Sequence, residues 1–143
     1  MKKKLAELGW REYVDFPEFG ITGVKAKIDT GAKTSCIHAF SVETFQKSND
    51  VWVRFGVHPN QGDTDTEVWC ESLVVDQREI TDSGGHNEMR YIISSRLVIG
   101  VHEFETELSL ANRDNMRFRM LLGRRAMKGR FTVNPSISYR QIK

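Results

Sequence analysis

Val51, Val53, Phe55 and Val57 stand at alternate positions of one short run. The same period of two returns at Val24, Ala26 and Ile28, at Phe104, Thr106, Leu108 and Leu110, and at Phe118, Met120 and Leu122. Side chains spaced this way share one face of a strand. Helical stretches are few and short. Arg124 to Lys128 suits one or two turns ending before Gly129, and Ser41 to Phe45 reads as a brief helical turn with Ser41 as its cap. Many short strands separated by evenly spaced Gly, Asn, Asp and Pro turns predict an all-β chain closed into a barrel, with one short C-terminal helix.

The remaining strands follow from the same reading. Trp10 to Phe16 alternates loosely and stops at Pro17, which predicts an edge strand. Phe19-Gly20 and Gly23 then give hairpin spacing into Val24–Ile28. Ser35 to Phe40 reads as a second short strand with Cys36 and His38 on one face and Ile37 on the other. Val51–Val57 and Glu67–Val75 form a long hairpin around the loop 59–65, and Glu79 to Asn87 is a polar, glycine-bearing loop. Met89–Ile93 and Arg96–Ile99 follow as strands, a turn at Gly100 leads to Phe104–Leu110, and Phe131–Val133 and Ile137–Ile142 finish the chain.

A chain of 143 residues fits one domain spanning 1–143 and buries about two-thirds of its unfolded surface. Met1-Lys2-Lys3-Lys4 leads into Leu5-Ala6-Glu7-Leu8-Gly9 rather than into an apolar signal core, and no apolar run reaches a membrane span. A cytoplasmic protein with no membrane partner is expected, and its two cysteines are then free thiols or metal ligands rather than a disulfide.

A net charge of +2 conceals two opposed segments. Residues 62–88 carry eight acids and one base, Arg78, whereas residues 113–130 carry seven bases and one acid, Asp114. Either the two segments face each other or solvent, or part of the basic set lines a site for an acidic ligand. Aromatic residues are not interleaved with the basic cluster beyond Phe118, so no nucleic-acid partner is expected.

The chemistry centres on the strand that ends in Asp29-Thr30-Gly31-Ala32. An acid delivered at a strand end can act as general acid or base, bind a metal, or cap a turn, and Asp and Gly are ordinary turn residues. Further stretches narrow the choice. Val24-Lys25-Ala26-Lys27-Ile28-Asp29-Thr30-Gly31-Ala32 together with Leu121-Leu122-Gly123-Arg124 resembles the retropepsin-like aspartic proteases. Asp-Thr-Gly-Ala-Lys-Thr-Ser, Asp82-Ser83-Gly84-Gly85-His86 and Asp-Asn-Met-Arg-Phe-Arg-Met-Leu-Leu-Gly-Arg are more similar still to a bacterial branch of that superfamily, the ATP-dependent zinc protease family. The resemblance covers roughly Trp10 to Tyr139.

It implies a homodimeric peptidase in which Asp29 of each subunit forms a dyad, Thr30 bonds across the two-fold axis, Gly31 permits close backbone approach, and Leu121-Leu122-Gly123 packs behind. It implies that Gly84, Gly85 and His86 belong to a flap over the site, with Ala32 beside the substrate. Asp82-Ser83-Gly84 is spelled like a second catalytic triplet but lies only 53 positions after Asp29 (82 − 29) and lacks an apolar lead-in strand. The segment between Cys36 and Ser95 is longer than a retroviral flap region.

Lys33 stands where retroviral enzymes carry an acid that pairs with the arginine of the Gly-Arg motif, here Arg124. Two cations flanking the dyad predict a glutamate-rich peptide substrate, and some bacterial relatives are thought to act on glutamate tails. Pairing of both cations with acids of 62–88 is the competing account.

Other classes stay open: a non-catalytic module that binds acidic peptides with the same barrel, or a zinc hydrolase. Cys36, His38, His58, Cys70 and His86 are ligand types for zinc, but neither His-Glu-x-x-His nor Cys-x-x-Cys occurs, and the expectation is no cofactor. No phosphate-binding Gly-x-x-x-x-Gly-Lys-Ser/Thr loop is present, so ATP is not expected to bind.

Overall fold

The computed structural model describes residues 4–81, 84–112 and 117–141. In chain order the strands are β1 (Ala6–Leu8), β2 (Arg11–Phe16), β3 (Ile21–Ile28), β4 (Ser35–His38), β5 (Ser41–Lys47), β6 (Asp50–Val57), β7 (Val68–Leu73), β8 (Asp76–Thr81), β9 (Asn87–Ile99), β10 (His102–Ala111) and β11 (Met120–Leu122). One helical turn, α1 (Arg124–Met127), precedes β12 (Phe131–Val133). The protein is mostly β with one short α-helix, as the period-two runs predict.

The main sheet runs β10-β4-β11-β3-β2-β9-β8, and β9 also pairs with β10. That second pairing closes β10, β4, β11, β3, β2 and β9 into a ring, which removes the open edges that an unclosed sheet would expose. Inside it pack Val14, Val24, Ala26, Ile93, Leu97 and Met120, each fully buried. β1 and β12 form a separate parallel pair, and β5-β6-β7 form a three-stranded sheet built from the long segment after β4.

The order of the main sheet places its shortest strand at the most informative position. β11 lies between β3 and β4, parallel to the first (Leu121 opposite Lys27) and antiparallel to the second (Leu121 opposite Cys36). A C-terminal strand is thus threaded between two strands that are consecutive in sequence, and the loop 29–34 joining them must pass around its end.

Several expectations are corrected. Ser41 to Phe45 is strand, not helix: Ser48 and Asn49 both take positive φ, 52° and 67°, giving the tight turn that pairs Lys47 with Asp50. The β-branched Val42 and Thr44 suit that strand. β2 is not an edge, because β9 covers its far side at Asp15 opposite Val98. β4 is a strand over Ser35–His38, as expected for that part of 35–40, and all four of its residues are buried.

Residues 79–81, expected at the start of a loop, belong to β8, and the two strands expected over 89–99 are one continuous β9. No strand forms over 137–141 among the described residues. Main-chain bonds of Trp10 N–H to Ile137 O and of Tyr139 N–H to Arg11 O hold the start of that stretch, and its end is held by Glu12, a fully buried carboxylate on β2 that accepts the main-chain N–H groups of Gly9 at 2.6 Å, Arg140 at 2.9 Å and Gln141 at 3.0 Å. A buried charge so surrounded by donors is satisfied without a cation.

Candidate active site

Val24, Ala26 and Ile28 point into the core, so Lys27 and Asp29 open on the other side of β3. Asp29 is half-buried at the strand end. Its main-chain N–H donates to the Leu122 carbonyl at 2.9 Å, and its Oδ1 accepts the Gly31 N–H at 2.9 Å, which fixes the carboxylate over its own turn. A Cβ on Gly31 would stand 3.2 Å from that oxygen. The chain has glycine where a side chain would crowd the acid.

The loop after Asp29 is braced from behind by the second motif. Arg124 N–H donates to the Ala32 carbonyl at 2.8 Å and Arg125 N–H to the Lys33 carbonyl at 3.1 Å. Gly123 N–H donates to Ser35 Oγ at 3.0 Å, and the buried Ser109 hydroxyl donates to the Ser35 carbonyl at 3.1 Å. The Arg124 side chain reaches over the loop to the Thr30 carbonyl at 3.0 Å. Gly123 is tightly enclosed: a Cβ there would meet Thr34 C at 2.8 Å and Ala32 O at 3.0 Å. Both stretches singled out in the sequence therefore form one hydrogen-bonded unit, with Thr30 and Gly31 exposed at its tip.

Asp29 opens into a cleft of about 730 Å³. Its walls carry Lys27, Lys33, Arg78, Arg90, Arg117, Arg124 and Arg125 against only Asp29 and Glu79. Phe118 and Leu121 supply an apolar strip between them. A second hollow of about 640 Å³ lies across the ridge formed by Thr30, Lys33, Arg124 and Arg125, and is lined on its far side by Met127, Phe131 and Val133.

The cations are not equivalent. Arg78 is saturated: its terminal nitrogens grip both oxygens of Glu107 at 2.7 and 2.9 Å, and its Nε bonds Asp76 at 2.6 Å. Hydrogen bonding to Glu107 and Asp76 raises the Arg78 pKa, and that to Arg78 holds the Glu107 carboxyl below its usual range. Arg125 shares Glu107 at 3.0 Å. Among the described residues no carboxylate pairs with Lys27, Lys33, Arg117 or Arg124, and no ion pair joins 113–130 to 62–88. Four of the seven cleft cations are thus without a carboxylate partner among the described residues.

Residues 87–91 of β9 pair with β8 alone, so this hairpin projects beyond the closed ring. Its wall toward the cleft is made by Arg78, Glu79, Ile80 and Thr81 together with Arg90. Gly84, Gly85 and His86, expected to cover the site, are exposed at the hairpin tip and do not line the cleft; Asp82 and Ser83 lie outside the described residues. Sequence reading missed Arg78 and Arg90 because a guanidinium at a strand position looks like a solvated face until the hairpin is folded over the loop.

The zinc-type residues do not converge. Cys36 and His38 are buried on β4, and His58 stacks on Phe40 with its Nδ1 3.3 Å from the Thr66 carbonyl. Cys70 is buried on β7, where desolvation pushes its thiol up to about 12, and His86 is at the hairpin tip. Among the described residues no three His, Cys, Asp or Glu side chains could hold one ion. Cys36 and Cys70 are not joined in a disulfide, and no helix among the described residues is long and apolar enough to cross a membrane.

The crystal structure of Lpg0085 from Legionella pneumophila, a protein of unknown function, superimposes with a TM-score of 0.82 over 97% of this chain and 100% of that one at 22% identity, which shows a shared fold. A protein of Desulfotalea psychrophila named "Probable alpha-L-glutamate ligase" is 45% identical over 130 residues, 91% of this chain. One of the same name from Shewanella halifaxensis is 44% identical over 132 residues, 92% of this chain. The chain spans only 28% and 29% of the lengths of those two relatives. The family model described as "Retropepsin-like aspartic endopeptidase RimB" matches residues 7–143, and the chain belongs to this RimB-like family of retropepsin-like aspartic endopeptidase domains.

Proposed function

We propose that the protein is an aspartic-type endopeptidase that works as a homodimer through Asp29 of each subunit and takes glutamate-rich peptides or tails. One carboxylate cannot serve as both acid and base. Two held close share a proton, so that one activates water for attack on the scissile carbonyl while the other protonates its oxygen; collapse then breaks the C–N bond and the amine takes up the proton. Thr30 and Gly31, exposed at the tip of the braced loop, are the residues that would meet their counterparts across a two-fold axis.

The observation that carries the substrate class is the charge of the cleft around Asp29, where four of the seven lining cations, Lys27, Lys33, Arg117 and Arg124, have no carboxylate partner among the described residues. A negatively charged peptide is attracted to such a surface and a basic one is repelled. The relatives' name points the same way: a glutamate ligase makes acidic peptides, and a domain like this one occurs within those longer chains. Lys33 and Arg124, beside the carboxylate, would hold a substrate carboxylate, with Ala32 as the backbone shelf.

The test is binding of hexaglutamate to the Lys33→Glu, Arg124→Glu double variant, together with sedimentation velocity of the unmodified protein. Loss of binding by the variant and a dimer in the wild type are expected. Undiminished binding would overturn the substrate reading. A strict monomer under all conditions would favour a non-catalytic acidic-peptide-binding module.

A further inference from the structure

Arg90 differs from every other cation of the cleft. It sits on the inner face of the projecting β8–β9 hairpin and is only 6% exposed. Burying a guanidinium is costly unless its N–H groups meet acceptors, and its usual partner is a carboxylate gripped by two of them. Arg90 lacks such a partner. Its Nε is 3.4 Å from Glu88 Oε2, a long contact to a half-exposed side chain, and one terminal nitrogen donates to the thiol of Cys36 at 3.5 Å. Sulfur is a weak acceptor. The second terminal nitrogen has no acceptor among the described residues and is left to the cleft.

The floor beneath gives this group a defined place. Lys27, Leu121 and Cys36 stand opposite one another on adjacent strands, and all three line the cleft. Neighbouring strands lie about 4.8 Å apart, so Lys27 and the Cys36–Arg90 pair are separated by about 10 Å across the Leu121 strip. Arg90 therefore closes one side of an apolar-floored slot that opens toward Asp29. With water partly excluded by burial, a carboxylate there gains more than at the exposed Lys27 or Lys33.

We infer that Arg90 is a specificity-determining residue that grips a side-chain carboxylate of the bound peptide, the Cys36 thiol acting as a placeholder acceptor in the free protein. This deepens the acidic-peptide reading and rests on it. Glu88 competes weakly for the same guanidinium, and its removal frees the group for the ligand.

The probes are fluorescein-labelled hexaglutamate and a neutral hexapeptide of alternating Gln and Ser, with affinities measured by fluorescence anisotropy and folding checked by thermal melting. Arg90→Gln is expected to weaken hexaglutamate binding about tenfold to a hundredfold, the size of a lost charge-assisted contact, and to leave the neutral peptide unaffected. Lys27→Gln, an exposed cleft cation, is expected to cost about threefold or less.

Cys36→Asp places an internal carboxylate against Arg90 and is expected to reproduce the Arg90→Gln loss with the arginine still present. Glu88→Gln is expected to tighten binding. If Arg90→Gln does not fold, these two variants decide. An Arg90→Gln loss no larger than that of Lys27→Gln, or unchanged binding by Cys36→Asp and Glu88→Gln, would overturn the inference while leaving the acidic-peptide reading intact. A wild type that binds hexaglutamate no better than the neutral peptide would overturn both.

Discussion

Asp29 donates its main-chain N–H to the carbonyl of Leu122, 93 positions later, at 2.9 Å (122 − 29 = 93). The bond ties the strand that delivers the acid to the strand that supports it. It also explains why β11 is only three residues long: Gly123 ends the strand at the level of the Asp29 turn, and its N–H turns aside to Ser35.

Gly123→Ala is therefore expected to be disruptive out of proportion to one methyl group. The new Cβ would sit 2.8 Å from Thr34 C and 3.0 Å from Ala32 O, main-chain atoms that cannot step aside as a side-chain tip can. A loss of about 1–3 kcal/mol in urea unfolding is predicted, as for overpacking of a closed site, together with loss of whatever activity depends on the 29–35 loop. Unchanged stability would show that the loop is more yielding than its hydrogen bonds imply.

Glu12→Gln is a second expected loss, for an electrostatic reason. The carboxylate accepts three main-chain N–H groups in a fully buried position, and an amide presents an NH₂ where one oxygen stood. About 2–3 kcal/mol of destabilisation is predicted from the stranded donors. Proteolysis at the end of the 137–141 stretch is expected to accelerate, since the Arg140 and Gln141 N–H groups are held by Glu12, and limited proteolysis checks this directly.

Glu12 also marks where sequence reading stops. Strand positions that alternate, such as 24–28 and 51–57, declare themselves because one face is apolar. Asp29-Thr30-Gly31 and Leu122-Gly123 were legible as a pair through family likeness, and the structure joins them by hydrogen bonds. Glu12, Arg78 and Arg90 occupy strand positions that read as solvated, because their partners come from 128, 29 and 54 positions away. β5 and β8 were missed for a related reason: both are polar and largely exposed, so packing gives them no apolar signature, and only pairing to β6 and β9 defines them.

The Arg78–Glu107–Arg125 link should make the hairpin sensitive to acid. Glu107 is held below its ordinary value of 4.5, chiefly by hydrogen bonding to Arg78 and against the opposing effect of burial. A carboxyl depressed in the folded state contributes stability that is fully present above its unfolded value and is lost as pH falls through the folded one. Protection of the 76–81 amides, taken relative to the intrinsic exchange rate at each pH, is therefore predicted to be high at neutral pH and to fall as the pH drops through the lowered Glu107 value. Glu107→Gln is expected to show the reduced protection already at pH 7, and equal protection in both proteins at pH 7 would contradict the link.

The central claim is that Asp29 supplies the reacting carboxylates, and one measurement addresses it directly. A peptide ending in six glutamates is incubated with the wild type and with Asp29→Asn, and products are followed by mass spectrometry while melting and sedimentation confirm that fold and assembly match. The account predicts that the wild type shortens the tail and that Asp29→Asn is slower by about a thousandfold or more. Cleavage by Asp29→Asn at close to the wild-type rate, or no cleavage by the wild-type dimer, would contradict it.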